Sequence, residues 1–365
     1  MKKIGFVYGD LNASGSLRQY SQSVVEKLQE RENIEPVIIY QQGNPKNAPP
    51  GVERIKFPDR TGSRWHRAAP RKDLDIIHLN TPPLVGQLSA ALAPCPVVAT
   101  IHGTLHWVTG ISKEVRYCKK TTAIWRLRDR LSKYTLDHVF VVSPHGKRIL
   151  TECAEFPPTK IQVAYEGIAD EFFEVGSTTR PADLPERYLL HVSSPSQKKN
   201  IQTLLRAFAR LRQSHRDLTL IIAGRGWEKE INPLVESLGL EECVRTPGYV
   251  KLDRLIELYD HAECFVFPSY HETFGLPNVE AMARGTPVVT TSQFAIPEIV
   301  DDGAVLVSNP NDHEAIANEI NRLLTDDNFR EQFVRQGQTH VEQFRWCYRI
   351  EKLIEGYEQV LATAD

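Results

Sequence analysis

The sequence predicts an α/β protein made of two doubly wound, Rossmann-like domains. Short runs of apolar, largely β-branched residues alternate with amphipathic helical stretches along most of the chain. This alternation is typical of parallel sheets that helices cover on both faces. The scheme starts again in the second half, and 365 residues are too many for one ordinary core. These observations favour two domains, each with its own sheet.

Five predicted strands lie in the first half, each bounded by polar or turn residues. The first, IGFVYG, is followed by the helical stretch LRQYSQSVVEKLQE. The others are VIIY, DIIHLN, VVATIH and HVFVVS, with helical stretches between several of them. Such crossovers favour parallel pairing of the strands. We expect this domain to cover residues 1–167.

The second half repeats the pattern. Predicted strands are YLLHVSS, LTLIIAGRG, VRTPGYV, CFVFPS and PVVTT, and the helices between them include IQTLLRAFARLRQ and LDRLIELYDHA. Periodicity is lost over EGIADEFFEVGSTTRPADLPE, which places the boundary near residues 165–185 and a second domain at 168–345. A final helix at about 346–365, within FRWCYRIEKLIEGYEQVL, is expected to cross back to the first domain.

Composition favours a globular protein without a membrane span. Hydrophobic residues make up 41% of the chain and charged residues 25%, and no run of about 18 apolar residues occurs. MKKIGFVYGD is expected to be a first strand rather than a signal peptide. The six cysteines include no CxxC pair, which argues against a zinc site or a disulfide framework. We therefore expect a reduced, cytoplasmic protein.

Charge is divided unevenly between the two halves. Residues 1–167 carry 24 Lys and Arg against 15 Asp and Glu, whereas residues 168–365 carry 20 against 31. A basic first domain and an acidic second domain are expected to have different partners.

The stretch SYHETFGLPNVEAMARGTPVVTT has the features of a ligand-binding loop. It follows the predicted buried strand CFVFPS, and ligands of doubly wound sheets bind beyond the carboxyl ends of the strands. Gly275 allows a positive φ or a close approach to a ligand, Pro277 suits a helix start, and Asn278 could cap that helix. Glu272 and Glu280 could then accept hydrogen bonds from hydroxyl groups. A helix dipole alone would also favour Glu280 in a first turn.

The segment HETFGLPNVEAMARGTPVV resembles the signature of the retaining, GT-B-fold glycosyltransferases of family 4, in which two glutamates with seven residues between them flank a GFGLP-like loop. QKKNIQTLLRAFARL, LIIAGRGWE and FAIPEIVDDGAVLV are similar to further segments of that family. The resemblance implies a GT-B fold in which the second domain binds the donor and the first binds the acceptor. It also implies a nucleotide diphosphate sugar, GDP- or UDP-linked, as substrate, with no other cofactor and no metal.

The same resemblance implies separate roles for the two glutamates. Glu272 would contact the transferred sugar, and Glu280 would hold the ribose hydroxyls of the nucleotide. Backbone amides around Phe274, Gly275 and Leu276 would meet the diphosphate and the sugar.

The family places an arginine and a lysine on the loop after the first strand of the donor domain, where they neutralise the departing diphosphate. HVSSPSQKKN keeps Lys199, whereas Ser193-Ser194 replaces the usual Gly-Arg. Ser194 therefore stands where the arginine is expected, and Lys198 or Arg225 could supply its charge.

The first domain offers weaker matches. VYGDLNASGSLRQY resembles the family's Gly-rich loop, so the amides of Gly15 and Ser16 would close over the diphosphate or the sugar, although a plain turn is the alternative. VVATIHGT resembles the family's His-Asp position, with Gly103 in place of the acid. His102 would hydrogen-bond a sugar hydroxyl, or it is a buried core histidine.

Two further segments have lower similarity to the family. In VVSPHGKRIL, Ser143 and Lys147 could line the cleft or could be purely structural. AYEGIADEFF takes the place of the family's PNGVD hinge, with Glu166 for the asparagine and Ala169 for the aspartate. A hinge is expected there.

Residues 112–148 carry 10 Lys and Arg against 3 Asp and Glu, with Trp125 and Leu127 interleaved, and residues 53–72 are also basic. A basic, aromatic-bearing amphipathic face can bind anionic lipid, and a solvated helix face is the alternative. No nucleic-acid motif is present, so nucleic acid is not an expected partner. We expect peripheral contact with the inner face of an anionic membrane.

The expected activity is metal-independent, retaining transfer of a mannose- or glucose-type hexose from the nucleotide sugar to a hydroxyl of a glycan or lipid-linked acceptor. A nucleotide-sugar 2-epimerase of the same architecture and a non-catalytic sugar-nucleotide-binding protein remain alternatives. A dinucleotide-dependent oxidoreductase would need a GxGxxG with a downstream acid, which the chain lacks.

Overall fold

The computed structural model describes residues 1–11, 16–57, 65–66, 73–80, 87–108, 119–174, 176 and 179–364, which form two compact α/β units. Within the described ranges, the first unit takes in residues 1–108 and 119–165 and the C-terminal segment from Trp346 onward. The second unit covers Glu166–Arg345. None of the helices in these ranges is long and apolar enough to cross a membrane.

The first unit is built on one parallel sheet. Its strands are β1 (Lys2–Asp10), β2 (Ile34–Gln42), β3 (Glu53–Lys56), β4 (Ile76–Leu79), β5 (Val97–Ile101), β6 (His138–Val141) and β7 (Ile161–Val163). Their order is β3-β2-β1-β4-β5-β6-β7. The helices that accompany them are α1 (Ser16–Gln29), α2 (Gln87–Ala91), α3 (Leu105–Val108), α4 (Lys119–Thr135) and α5 (Pro144–Cys153).

The second unit repeats this plan with six parallel strands. They are β8 (Tyr188–Val192), β9 (Thr219–Ala223), β10 (Val244–Gly248), β11 (Cys264–Phe267), β12 (Val288–Thr291) and β13 (Val305–Val307), in the order β10-β9-β8-β11-β12-β13. Its helices are α6 (Ile201–Leu211), α7 (Trp227–Ser237), α8 (Leu252–Asp260), α9 (Leu276–Ala283), α10 (Ile296–Val300), α11 (His313–Thr325) and α12 (Asp327–His340).

Both sheets reverse their strand order beside the first strand of the unit. β1 lies between β2 and β4, and β8 lies between β9 and β11. Loops that leave such a pair of strands turn to opposite faces of the sheet, and this opens a crevice at the carboxyl ends. The central strands are buried on both faces, which explains their continuous apolar sequences. The predicted fold class, two doubly wound α/β domains, is confirmed.

The last helix, α13 (Trp346–Ala364), packs on the sheet of the first unit. The Tyr357 hydroxyl lies 2.6 Å from Nδ1 of His78, whose Nε2 lies 2.8 Å from the Thr100 hydroxyl. Burial is the main reason that the pKa of His78 lies well below its usual value, so a neutral imidazole joins the two hydroxyls. At Gly356 a Cβ would lie 2.5 Å from the Phe140 ring, and glycine therefore permits the close approach of helix and sheet.

Three short strands, β3, β7 and β13, were not predicted from the sequence. Each lies at the edge of its sheet and has at most four residues. An edge strand pairs on one side only and buries less apolar surface, so its hydrophobic pattern is weak. β3 falls within the basic stretch 53–72, of which 58–64 and 67–72 lie outside the described residues.

Candidate active site

A carboxylate and two ammonium groups meet at the switch point of the second sheet. Glu272 lies in the loop after β11, and Lys198 and Lys199 lie in a 3-10 turn after the neighbouring strand β8. Nζ of Lys199 is 2.8 Å from Oε1 of Glu272, and Nζ of Lys198 is 3.6 Å from Oε2. The backbone joins the two loops, because the Tyr270 N–H donates to the Lys198 carbonyl at 2.7 Å.

Glu272 is buried and ionised. Its carboxylate accepts a hydrogen bond from the Ser269 hydroxyl at 2.7 Å. Burial alone would raise the pKa of Glu272, but Lys199 and Lys198 outweigh it and lower that pKa to about 2. Burial also lowers the pKa of Lys199, and the charge of Glu272 opposes this effect. The short Lys199–Glu272 contact stabilises the charged forms of both residues.

The backbone beyond Glu272 reverses at Gly275. This residue has a φ of +97° and is the N-cap of α9, so Leu276 is the first residue of that helix. The Phe274 side chain is buried, and its ring is edge-on to Phe344 with centroids 5.4 Å apart. Only the backbone of Phe274 is therefore left to contact a ligand.

Asn278 does not cap α9, contrary to the prediction. The helix already begins at Leu276, because the left-handed backbone of Gly275 takes the cap position. Asn278 thus lies inside the first turn and is fully buried. Neither polar atom of its side chain has a hydrogen-bond partner among the described residues.

Glu280 has a different electrostatic environment. It lies half-buried on α9, and its Oε2 accepts a hydrogen bond from the Tyr259 hydroxyl of α8 at 2.9 Å. Burial raises the pKa of Glu280 to about 7, and the Tyr259 hydrogen bond partly offsets that rise. The two glutamates therefore differ: Glu272 is a permanent anion, whereas Glu280 exchanges a proton near neutral pH.

The loops that follow β8 and β9 touch through their backbones. A Cβ at Gly224 would lie 1.8 Å from the Ser193 carbonyl oxygen, so only glycine fits there. The Trp227 indole N–H donates to the same carbonyl at 2.5 Å. Ser194, which replaces the expected arginine, is exposed on this loop.

Lys198 and Arg225 are the two residues that could supply the positive charge of the arginine that Ser194 replaces. Of these, Lys198 is the one next to Glu272. The guanidinium of Arg225 instead lies over the ring of Tyr249, 5.9 Å from its centroid. In the part of the chain that the structure describes, no group of three or more His, Cys, Asp or Glu side chains could hold a metal ion.

The candidates of the first unit are less fully described. Gly15 lies outside the described residues, and Ser16 is the first residue of α1, where its side chain is not described. His102 follows β5 and is half-buried, with its ring edge-on to Tyr20 at 5.2 Å. A Cβ at Gly103 would meet nothing within 4 Å, so an acid at this position would fit.

Ser143 and Lys147 have structural contacts. The Ser143 hydroxyl accepts from the Gly146 N–H at 3.1 Å and caps α5. Nζ of Lys147 donates to the Ile161 carbonyl at 2.9 Å. These contacts favour the structural alternative for both residues.

Two residues that contact the glutamates were not predicted. Ser269 comes two positions after β11, and a hydroxyl at a strand end is a signal that could have been used. Tyr259 follows the apolar pattern of α8 and is indistinguishable from a core residue in the sequence. Its hydroxyl reaches Glu280 only because α8 and α9 are neighbours in the folded unit.

Two family models match the chain. The model described as Glycosyltransferase Family 4 matches residues 23–172, and the model described as Glycosyl transferases group 1 matches residues 178–340.

Curated relatives are similar over different lengths. O-antigen chain mannosyltransferase B of Escherichia coli is 40% identical over 174 residues, which are 47% of this chain and 45% of the relative. The chain thus spans less than half of that protein. An uncharacterized glycosyltransferase of Methanocaldococcus jannaschii is 30% identical over 74% of this chain and 72% of its own length. MMP alpha-(1->4)-mannosyltransferase of Mycolicibacterium hassiacum is 28% identical over 81% of this chain and 73% of its own length.

Solved structures share the fold. Sucrose-phosphate synthase from Thermosynechococcus elongatus superposes with a TM-score of 0.81 at 21% identity and covers 100% of both chains. HepE from Anabaena, solved with UDP and glucose, superposes with a TM-score of 0.76 at 20% identity, over 97% of this chain and 99% of its own. These likenesses confirm the predicted GT-B fold. Because the two family models together match most of the chain, and a glycosyltransferase 30% identical to it aligns over 72% of its own length, the chain belongs to the glycosyltransferases of family 4.

Proposed function

We propose that this glycosyltransferase moves a hexose of the mannose or glucose type from a GDP- or UDP-linked sugar to a hydroxyl of a glycan or lipid-linked acceptor. The transfer retains the anomeric configuration and requires no metal ion. The cluster of the buried Glu272 with Lys199 and the more exposed Lys198, at the carboxyl edge of the second sheet, carries this proposal. Mannosyltransferases among the relatives support a hexose, and the complex of HepE with UDP-glucose supports a nucleotide-sugar donor.

In this proposal the second unit binds the donor. The backbone at Gly275 and the first turn of α9 present N–H groups and the positive end of a helix dipole to the diphosphate. Glu280 accepts hydrogen bonds from the ribose hydroxyls, and Glu272 accepts one from the transferred sugar. For the first unit the sequence resemblance alone supports the proposed roles, in which His102 hydrogen-bonds a sugar hydroxyl and the amides of Gly15 and Ser16 contact the diphosphate or the sugar.

The chemical step separates a sugar with oxocarbenium character from a diphosphate that gains negative charge. Lys199 and Lys198 supply two positive charges next to Glu272, so they can stabilise the leaving diphosphate in place of a divalent cation. Glu272 keeps both ammonium groups in position before the donor arrives. Lys199 is the better placed of the two, because its contact with Glu272 is shorter and its side chain is more buried.

A panel of UDP, GDP and ADP in thermal unfolding tests the donor site directly. One of them at about 100 times its Kd is expected to stabilise the protein by about 2.7 kcal/mol, which raises Tm by several degrees. The matching nucleotide sugar should then yield product only when an acceptor is added. Failure of all three nucleotides to shift Tm would contradict the proposal, and a changed sugar nucleotide formed without acceptor would indicate an epimerase instead.

Nucleotide affinity is expected to increase with pH because of Glu280. Its pKa is about 7, and only the carboxylate can accept hydrogen bonds on both oxygens from a ribose diol. The competent, ionised fraction is about one-tenth at pH 6 and about nine-tenths at pH 8, so Kd for the nucleotide should fall about tenfold over that range. Isothermal titration at several pH values measures this change.

The nucleotide's own phosphate also titrates near pH 6, and Glu280→Gln separates the two effects. The variant should bind about tenfold more weakly than the wild type at pH 8 and should keep only the pH dependence of the phosphate. Tyr259→Phe removes the hydrogen bond that lowers the pKa of Glu280, so it should move the midpoint to higher pH. Identical pH profiles in all three proteins would exclude Glu280 as the ribose ligand.

The proposal also includes a cytoplasmic location and contact between the basic first unit and the inner face of an anionic membrane. A lipid-linked acceptor would lie at such a surface. The excess of Lys and Arg over Asp and Glu in residues 1–167 supports this part of the proposal.

A further inference from the structure

Helix α4 has polar side chains on its buried side. Thr122, Asp129 and Ser132 are all buried, with Asp129 and Ser132 at 0% exposure. A surface helix usually turns its apolar side chains to the core and its charges to water. In α4 this arrangement is reversed.

The buried polar side is fully hydrogen-bonded around Asp129. Its Oδ2 lies 2.6 Å from Nε2 of His106 and 2.8 Å from the indole nitrogen of Trp107, both on α3. Its Oδ1 accepts two hydrogen bonds from the Arg128 guanidinium, and the Ser132 hydroxyl donates to the Arg128 carbonyl. Rotating α4 would break this network and leave a buried carboxylate unpaired, at high cost. The network therefore fixes which side of α4 meets water.

The side of α4 that meets water is apolar. Four side chains form what we call the α4 stripe: Ile124, Leu127, Leu131 and Tyr134, exposed by 47%, 52%, 40% and 77%. Their spacing of three, four and three residues places them within an arc of about 80° and over a length of about 15 Å. Trp125, exposed by 36%, lies outside the stripe, and its ring is 5.7 Å from that of His106. Of the nine large apolar side chains that are exposed in the described ranges, five belong to α4.

Cations flank the α4 stripe. Arg130 is exposed and Arg126 is half-buried, whereas the half-buried Lys133 already pairs with Glu155 at 3.0 Å. The guanidinium groups of Arg126 and Arg130 lie 5.6 and 5.5 Å from the Trp107 ring centroid, so they are held beside the stripe. The one acidic residue among the 17 of α4 is the buried Asp129.

This charge pattern decides among the surfaces that could cover the stripe. A second copy of the same face would bring like charges together, which disfavours a symmetric dimer. A membrane interface takes apolar side chains into the acyl boundary and attracts Lys and Arg to anionic headgroups. The length of the stripe and its cationic rim suit a helix that lies in the plane of the interface.

We propose that the α4 stripe docks the protein on the anionic headgroup region of a lipid bilayer, with Ile124, Leu127, Leu131 and Tyr134 inserted and Arg126 and Arg130 at the phosphates. This inference deepens the membrane contact of the proposed function. It assigns that contact to one helix face instead of to the general basic charge of the first unit. It rests on exposure and charge in the first unit and requires no residue of the donor site.

Vesicle flotation of the full chain tests the proposal. The wild type should bind vesicles of phosphatidylcholine with about one-third phosphatidylglycerol and should bind pure phosphatidylcholine much more weakly. Leu127→Glu/Leu131→Glu should reduce binding to the anionic vesicles by about tenfold or more. The matched control is Leu92→Glu, because Leu92 is also exposed in the first unit, by 56%, but lies outside α4. It should bind like the wild type.

Two further measurements separate this surface from its alternatives. Arg130→Gln, or raising the salt from about 0.1 to about 0.5 M, should weaken binding to anionic vesicles. Light scattering should find the same mass for the wild type and the double variant. A concentration-dependent dimer that the double variant loses, with no vesicle binding, would overturn the proposal in favour of a second copy. Equal binding of the wild type and the double variant would also overturn it.

The outcome is independent of the catalytic proposal. Leu127→Glu/Leu131→Glu should retain the wild-type nucleotide shift in Tm, since the donor unit is unchanged. Vesicle binding without any nucleotide response would leave the docking surface in place and refute the proposed transfer. A nucleotide response without vesicle binding would support the donor site and refute the docking surface.

Discussion

Glu272→Gln is expected to slow hexosyl transfer by about 10³-fold while leaving nucleotide binding measurable. The substitution keeps the size of the side chain and removes the charge that holds Lys199 at 2.8 Å and Lys198 at 3.6 Å. Both ammonium groups then lose the anion that orients them, and the sugar loses a charged acceptor. Glu280 and the Gly275 turn remain, so the nucleotide should still bind. Initial rates and calorimetric titration measure the two effects separately.

Glu314→Gln is the matched control for this prediction. Glu314 also pairs with an arginine of the second unit, Arg210, at 3.3 Å, but its side chain is 61% exposed. A surface pair of this kind contributes little, and the variant should transfer hexose at the wild-type rate. Near wild-type transfer by Glu272→Gln itself would refute the assignment of this residue.

Lys199→Met should have the second largest effect, a loss of transfer of about 10²- to 10³-fold. It removes the buried cation nearest Glu272, whose charge helps to lower the pKa of that carboxyl, and leaves Glu272 with the more distant Lys198 as its partner. Loss of one member of a buried ion pair destabilises a protein by about 3 kcal/mol or more, so chemical unfolding should also detect the change. Both measurements are made on the same preparation.

Lys198→Met is the matched comparison, because Lys198 lies farther from Glu272 and is more exposed, at 28% against 13%. Its effects on transfer and on the free energy of unfolding should both be smaller. The double variant Glu272→Gln/Lys199→Met should be less destabilised than the sum of the single variants, since it contains no unpaired buried charge. Additive destabilisation, or a larger loss of transfer in Lys198→Met, would contradict the roles given to the two lysines.

Much of the fold could be predicted from the sequence. Buried strands such as β9 and β11 are continuous apolar runs, and helices such as α6 carry a clear apolar face. The edge strands β3, β7 and β13 could not be predicted in the same way. Each has only three or four residues and pairs on one side, with the strand that precedes it in the chain. So short an apolar run cannot be distinguished from a loop by its hydrophobic pattern.

The candidate site shows the same division. The two glutamates and Gly275 were identified from one contiguous segment. This was possible because that segment forms a single loop and the helix that follows it. The choice between Lys198 and Arg225 depended on which of two loops turns toward Glu272. Asn278 was misassigned because the helix begins one turn earlier than its capping sequence suggests.

The sequence by itself determined the class of architecture, the family resemblance and the segment that carries Glu272 and Glu280. These are local properties, since hydrophobic period, turn residues and motif spacing are all read within a few residues. Only the tertiary structure decided that Lys198 and Lys199 hold Glu272 ionised, that Tyr259 contacts Glu280, and that α4 turns its apolar side to water. Each of these depends on burial and on neighbours that are distant in the chain. Electrostatic energies are set by those neighbours, and the order of residues does not specify them.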